Sequence, residues 1–179
     1  MINYAGQHLY IHKAGGTYTH HGLGIDGEQV IHYSGLANNL TDEGIVEIVS
    51  LEDFLQGQPL QKRNHKKSLY SIDEAVQRAL SRLGEKHYHV LHNNCEHFVN
   101  WCLTGHHKSK QARNAALLYS ASIGIRTLSR AKNPASFMLG AAAGYAYVNY
   151  QGLKKRPDMH TLEETYQHYQ NKKLSVNTD

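Results

Sequence analysis

Cysteine is scarce in this chain: two among 179 residues, Cys95 and Cys102. Two thiols cannot make a disulfide scaffold. On one helix their spacing puts the Cα atoms about 10.5 Å apart, beyond the roughly 7 Å that a disulfide spans. Free thiols favour a reducing compartment, so a cytoplasmic location is expected. Long apolar runs are missing as well. No stretch approaches the 20 or so uninterrupted apolar residues of a clear membrane span. The opening "MINYAGQHLYIHKAGG" lacks the apolar core of a signal peptide. Charge of one sign is modest, at net +4 with a pI of about 9.0. No helix gathers the Lys and Arg, so nucleic acid is not an expected partner. What is plentiful is histidine, 14 residues, and tyrosine, 12 residues. The histidines are scattered over much of the chain, which does not describe a metal site.

The length suits one compact domain with an appendage. "HLYIHK" (8–13) alternates like a strand. "YTHHGLGIDGEQVIHYSG" (18–35) reads as a hairpin, with Asp26-Gly27 as its turn. "GIVEIVSLEDF" (44–54) reads as a further strand and turn, and the polar 58–67 as a loop. "SIDEAVQRALSRLG" (71–84) predicts a helix with a Ser71/Glu74 capping box, an apolar face of Ala75, Ala79, Leu80 and Leu83, and Gly84 as its stop. A short strand before Asn93 leads into a helix over 95–105. Beyond 106 come a basic stretch (106–114), an Ala-rich helical segment (115–131), a second apolar segment after Pro134 (135–150), and a polar tail with a short helix near 160–173. The expected organisation is an α+β module over 1–106, a helical hairpin over 107–153 and a tail over 154–179.

"HVLHNNCEHFVNWCLTG" (89–105) carries the chemistry. A thiol with a pKa near 8.5 is mostly protonated at neutral pH, and the thiolate is the nucleophile. A helix N-terminus and a nearby imidazolium both lower that pKa. Cys95 falls at the predicted helix start, whereas Cys102 falls two turns later on the apolar face. Taken alone, Cys95 also suits a buried inert thiol. A base would come from the hairpin, which offers His20, His21 and His32. A two-residue turn sets His21 opposite His32; a three-residue loop ending at Gly27 sets His20 opposite His32. In the second register His20 shares a face with Gly22 and Gly24, an open surface on which a substrate or helix could lie. Composition does not choose between the two.

"NNCEHFVNWC" resembles the signature of the lecithin retinol acyltransferase family, which reads Asn-Cys-Glu-His-Phe-Val. Upstream, "GEKHYHVLHNNCEHF" keeps the family-like glycine, tyrosine and leucine. "THHGLGIDGEQVIH" is similar to the family's first block, in which a His-x-Gly precedes a second histidine by twelve residues. The two blocks cover 18–33 and 84–105. The resemblance implies a circularly permuted papain-like fold, with a small antiparallel sheet packed on the cysteine helix. It implies Cys95 as nucleophile, His20 as general base and His32 as the third member, and so the three-residue loop. It implies a thiol acyltransferase or acyl hydrolase acting on phospholipid or another acyl ester, with water, an alcohol or an amine as acceptor and no cofactor. Asn94 is expected to cap the helix, His97 and Tyr88 to support the module or the site, and backbone N–H groups at the helix start to serve as oxyanion donors.

The sequence departs from the family in places. A second histidine, His21, follows His20, so the two could exchange roles. The first strand lacks the acidic start. In place of one long apolar anchor there are two segments, 115–128 and 135–150, interrupted by "SRAKNPA" and bearing Arg126 and Asn149. The small residues Gly140 to Gly144 allow close helix packing. The pair can pack on the module, or insert in a membrane interface beside Lys154, Lys155 and Arg156. Three other functions compete: a papain-like peptide or amide hydrolase, an interaction module that keeps the fold, and a zinc site of His87, His89 and His92 with Cys95. The last has the wrong ligand spacing and would consume the nucleophile.

Overall fold

Five antiparallel strands form one sheet in the order β4-β3-β2-β1-β5. They are β1 (His8–Lys13), β2 (Tyr18–Gly24), β3 (Gln29–Tyr33), β4 (Val46–Ser50) and β5 (Gln61–Arg63). The helices are α1 (Leu51–Leu55), α2 (Ile72–Leu80), α3 (Cys95–Thr104), α4 (Lys110–Ala131), α5 (Pro134–Lys155) and α6 (Met159–Val176). The computed structural model describes residues 2–35, 44–65, 68–89, 93–131, 133–155 and 157–176. Leu91, His92 and Arg156, and the side chains of Lys154 and Lys155, lie outside the described residues.

The sheet has two differently filled faces, because successive side chains of a strand alternate. Leu23, Ile31, Tyr33 and Val46 meet α2 and α3 through Ala75, Ala79, Phe98, Val99 and Trp101. Leu9, Ile11 and Val30 form the other layer, closed by Phe54 of α1. Of the two occupants expected on the glycine surface, substrate or helix, it is a helix, α1, that lies there. A Cβ at Gly22 would lie 2.9 Å from the Phe54 ring, so the missing side chains of that strand face are filled by α1. The cysteine helix lies on the opposite face.

The hairpin register differs from both expected ones. Gly22 pairs with His32 and Gly24 with Val30. The loop does have three residues, but they are Asp26–Glu28, closed by Ile25 N–H donating to Gln29 O at 3.0 Å. The Asp26 carboxylate accepts from the N–H groups of Glu28 and Gln29, each at 2.7 Å, so Asp26 opens the turn rather than sitting inside it. His20 is thus diagonal to His32 on the same face, not directly opposite. The polar 58–67 stretch also contains β5, whose Gln61–Arg63 pair with Tyr10, Leu9 and His8. A three-residue exposed edge strand carries no apolar alternation to read.

α2 stops at Leu80, short of Gly84, and Leu83 is exposed. α4 starts at Lys110, earlier than expected, because Ser109 caps it: the Ala112 N–H donates to Ser109 Oγ at 3.1 Å. α6 returns to the module and buries Leu162 and Tyr166 against its core. The buried Arg78 guanidinium donates to both oxygens of Glu163 at 3.1 and 3.0 Å. It also stacks 4.1 Å from the Trp101 ring and 5.0 Å from that of Tyr166. This single guanidinium joins α2, α3 and α6.

Candidate active site

α3 begins at Cys95 because Asn94 ends the extended chain and caps it. The Asn94 side chain accepts the His97 N–H at 3.0 Å, and His97 Nδ1 accepts the Asn94 N–H at 3.2 Å. Two orphan donors of the first turn are satisfied reciprocally. His97 also stacks on His107, with ring centroids 4.5 Å apart. At the other end Gly105 takes φ 66°, the left-handed conformation that terminates a helix most cheaply in glycine.

The preceding Asn93 is the hub of a buried polar network. Its amide N–H groups donate to Glu85 Oε1 at 3.0 Å and to the His87 carbonyl at 2.8 Å. Its oxygen accepts from Arg82 Nη2 at 3.2 Å, and Arg82 pairs in turn with Glu85. Glu96, fully buried, pairs with Arg63 and accepts from Ser109 Oγ at 2.7 Å and from the Gln111 N–H at 3.1 Å. Burial pushes the Glu96 carboxyl up, but these donors and the charges of His21 and Arg63 outweigh it, so it is held low. The two residues flanking the Asn94-Cys95 pair thus fix the turn from both sides.

β2 pairs with β1 along its length, but on the β3 side its edge has no strand partner below Gly22. Two side chains occupy that edge. The Gln111 amide pairs with Thr19, accepting its N–H at 3.0 Å and donating to its carbonyl at 2.9 Å. Two residues along, the His21 backbone hydrogen-bonds the Cys95 thiol. Burial pushes that thiol up to about 12, and the backbone groups of His21, Glu96 and Cys95 oppose the rise. Half-buried Tyr88 lies beside the thiol and packs edge-on to Tyr33 at 5.2 Å.

His20 Nε2 lies 2.7 Å from His32 Nδ1, and both rings touch Phe54. Burial lowers both imidazoles, His20 well below its usual value and His32 to about 4; Lys13 adds to the effect on each. His21 points to the other face, toward α3. Its Nδ1 meets His8 Nε2 at 2.8 Å and its Nε2 meets Thr19 Oγ1 at 2.7 Å. Both ring nitrogens of His21 are therefore engaged, while Nδ1 of His20 takes no hydrogen bond among the described residues. The structure brings His20 and His32 together on the Phe54 face of the sheet, whereas α3 packs on the other face and its Cys95 sulfur meets β2 at the His21 backbone. No side-chain hydrogen bond joins Cys95 to either ring among the described residues.

No group of three or more metal-ligating side chains is assembled among the described residues. Glu47, on β4 across from His32, places Oε1 3.7 Å from His32 Nε2. Sequence reading missed Glu47, Gln111 and Arg63, because strand order and the return of the α4 start, rather than any local motif, bring them in.

This arrangement of a capped cysteine helix on a histidine hairpin coincides with a family match. The lecithin retinol acyltransferase family model matches residues 3–108. The chain belongs to that family. Similar proteins include the lecithin retinol acyltransferase of Mus musculus, 34% identical over 114 residues, which is 60% of this chain and 45% of the relative. That of Rattus norvegicus is 39% identical over 113 residues, again 60% and 45%. That of Bos taurus is 38% identical over 71 residues, 37% of this chain and 31% of the relative. The chain spans about 45% of the length of the first of these, and the family region ends just before α4.

Proposed function

We propose that this protein is a thiol-dependent acyltransferase or acyl hydrolase that works through an acyl-Cys95 intermediate on phospholipid or another lipid acyl ester. The observation that carries the reading is the Cys95 sulfur at the first position of α3, held by backbone groups against β2. His20, with Nδ1 uncommitted and Nε2 on His32, is the general base, and His32 orients it. Family membership and relatives named for lecithin and retinol support a lipid ester as donor.

In the proposed first step the His20 ring, which rests on the Phe54 face, reaches round the open edge of β2, and the thiol proton passes to His20 Nδ1 as sulfur attacks the ester carbonyl. Backbone N–H groups at the start of α3 receive the developing oxyanion. Collapse expels the alkoxide, which takes the proton from His20 and leaves an acyl thioester on Cys95. His20 then deprotonates water, an alcohol or an amine as it attacks the thioester, and the thiol reforms. Burial raises the thiol and lowers the imidazole, so the resting pair is neutral and the proton moves during attack. The histidine strands precede the cysteine helix, the order of a circularly permuted papain-like fold, and we read residues 1–106 as that module.

α4 (Lys110–Ala131) packs against α5 (Pro134–Lys155) at small residues, and we read this pair as the helical hairpin expected over 107–153. Gly124 meets Phe137, and Gly140 meets Thr127. Leu118, Met138 and Leu139 are exposed, at 73%, 68% and 75%. No described helix is long and apolar enough to cross a membrane. We read the hairpin as the surface that meets lipid at an interface.

The test is the intact mass of the protein after incubation with mixed phospholipid vesicles, beside Cys95→Ala and His20→Ala. The expected result is one added fatty-acyl group on the native chain and none on Cys95→Ala. Absence of adduct and of lipid turnover, with Cys95 still alkylated by iodoacetamide, would overturn the lipid-ester reading.

A further inference from the structure

A neutral imidazole carries one proton on two nitrogens, and the partner of one nitrogen decides the state of the other. His32 Nε2 is buried, has no hydrogen-bond partner, and faces the Glu47 carboxylate at 3.7 Å. A carboxylate in that position favours the proton on Nε2. His32 Nδ1 is then the acceptor of the 2.7 Å bond, so His20 Nε2 must be its donor. The remaining nitrogen of His20, Nδ1, is left as a bare lone pair. With the opposite tautomer of His32, the proton of His20 would sit on Nδ1 and block uptake from the thiol.

We propose that Glu47 is a positioning residue: its carboxylate fixes the tautomer of His32 and, through it, presents His20 with an unprotonated Nδ1. This rests on the reading of Cys95 as nucleophile and His20 as base. The same carboxylate offsets the imidazolium charge that the two rings share once the thiol proton has moved. The charged groups facing the ring pair are Lys13 from β1 and Glu47 from β4, while α1 presents the uncharged Phe54 and the neighbouring His21 of β2 points to the other face. Among these Glu47 is the anion. Its register opposite His32 holds it there, and its side chain is 39% exposed, so it tolerates replacement without loss of core packing.

The experiment follows p-nitrophenyl butyrate turnover and iodoacetamide alkylation of the full chain across the pH range in which imidazoles and thiols titrate. Glu47→Gln and Glu47→Lys are compared with Cys95→Ala and His20→Gln, and thermal melting checks folding. Glu47→Gln is expected to lower kcat/KM and the alkylation rate about tenfold, the scale seen when a group orienting a site imidazole is removed. Glu47→Lys is expected to lower them further, because an ammonium donates to Nε2 and imposes the reversed tautomer. In both variants the acid limb of the pH profile moves to lower pH, since the imidazolium has lost its counter-charge. A general loss of packing would instead lower the rate equally at all pH.

Wild-type rates and an unmoved acid limb in both variants, with His20→Gln inactive, would overturn the role of Glu47 and leave the base standing. A uniform fall with a lowered melting temperature would also overturn it, in favour of a packing role. Wild-type turnover in His20→Gln would remove the base assignment and the proposal with it.

Discussion

Buried histidines give the module a specific response to acid. His8, His20, His21 and His32 are all buried, and burial is the first cause of the lowered pKa of each. His21 falls from 6.5 to about 3 and His32 to about 4. The unfolded chain therefore takes up protons at a higher pH than the folded one. Where the unfolded state binds more protons, stability rises with pH. The contribution of these rings is present in full above 6.5 and is lost progressively as pH falls toward 4. Urea unfolding measured over that window should show stability dropping steadily with acidification. A flat profile would mean that these rings are already charged in the fold. His8→Phe should flatten the slope, since that site would no longer have a proton to gain on unfolding.

At the scale of elements, Arg78 is the joint between α6 and the module. Its guanidinium is buried, and its acidic partner, Glu163, is 46% exposed. Removing Glu163 leaves a buried cation with aromatic stacking but no anion. Solvent reaches the pair from the Glu163 side, so the loss on Glu163→Ala should be about 1–2 kcal/mol, below that of a fully buried pair. Urea denaturation measures it, and an unchanged midpoint would show that the aromatic cage alone holds α6.

Much of this architecture was legible. β1, the hairpin, α2 and α3 follow from alternation, a turn dipeptide and caps, all of which act over a few residues. The parity that puts His20 and His32 on one face came only with the family resemblance, since composition left two hairpin registers open. The register itself was not legible, because one Asp26 carboxylate accepting two backbone N–H groups shifts the loop by a residue. β5 was hidden because a polar edge strand has no pattern of its own. Family motifs pointed to Cys95, His20 and His32. They said nothing of Glu47 or of the Gln111 amide, which reach the site through strand order and through α4.

At the scale of the molecule, the α4–α5 hairpin carries a large exposed apolar surface among the described residues. α4 and α5 are not strongly amphipathic, and Leu117, Leu118, Ile125, Met138 and Leu139 all stand in solvent. With basic Arg126 and Arg130 on α4 it suits an anionic interface. Flotation with anionic vesicles should carry the native chain, and Leu118→Gln with Leu139→Gln should reduce the bound fraction at least severalfold. Turnover of a soluble ester should stay near the native rate, because both residues are exposed and neither belongs to the core around Cys95. Equal flotation of native and double variant would remove the hairpin as the lipid-facing surface.

The amide of Gln111 stands in for a missing strand at Thr19, two residues from the backbone group that holds the sulfur. The helix that carries this amide is also one arm of the exposed hairpin. β2 is thus leashed to that exposed arm by two hydrogen bonds, so if the arm meets lipid as proposed, tension on it is delivered two residues from the backbone group that holds the Cys95 sulfur.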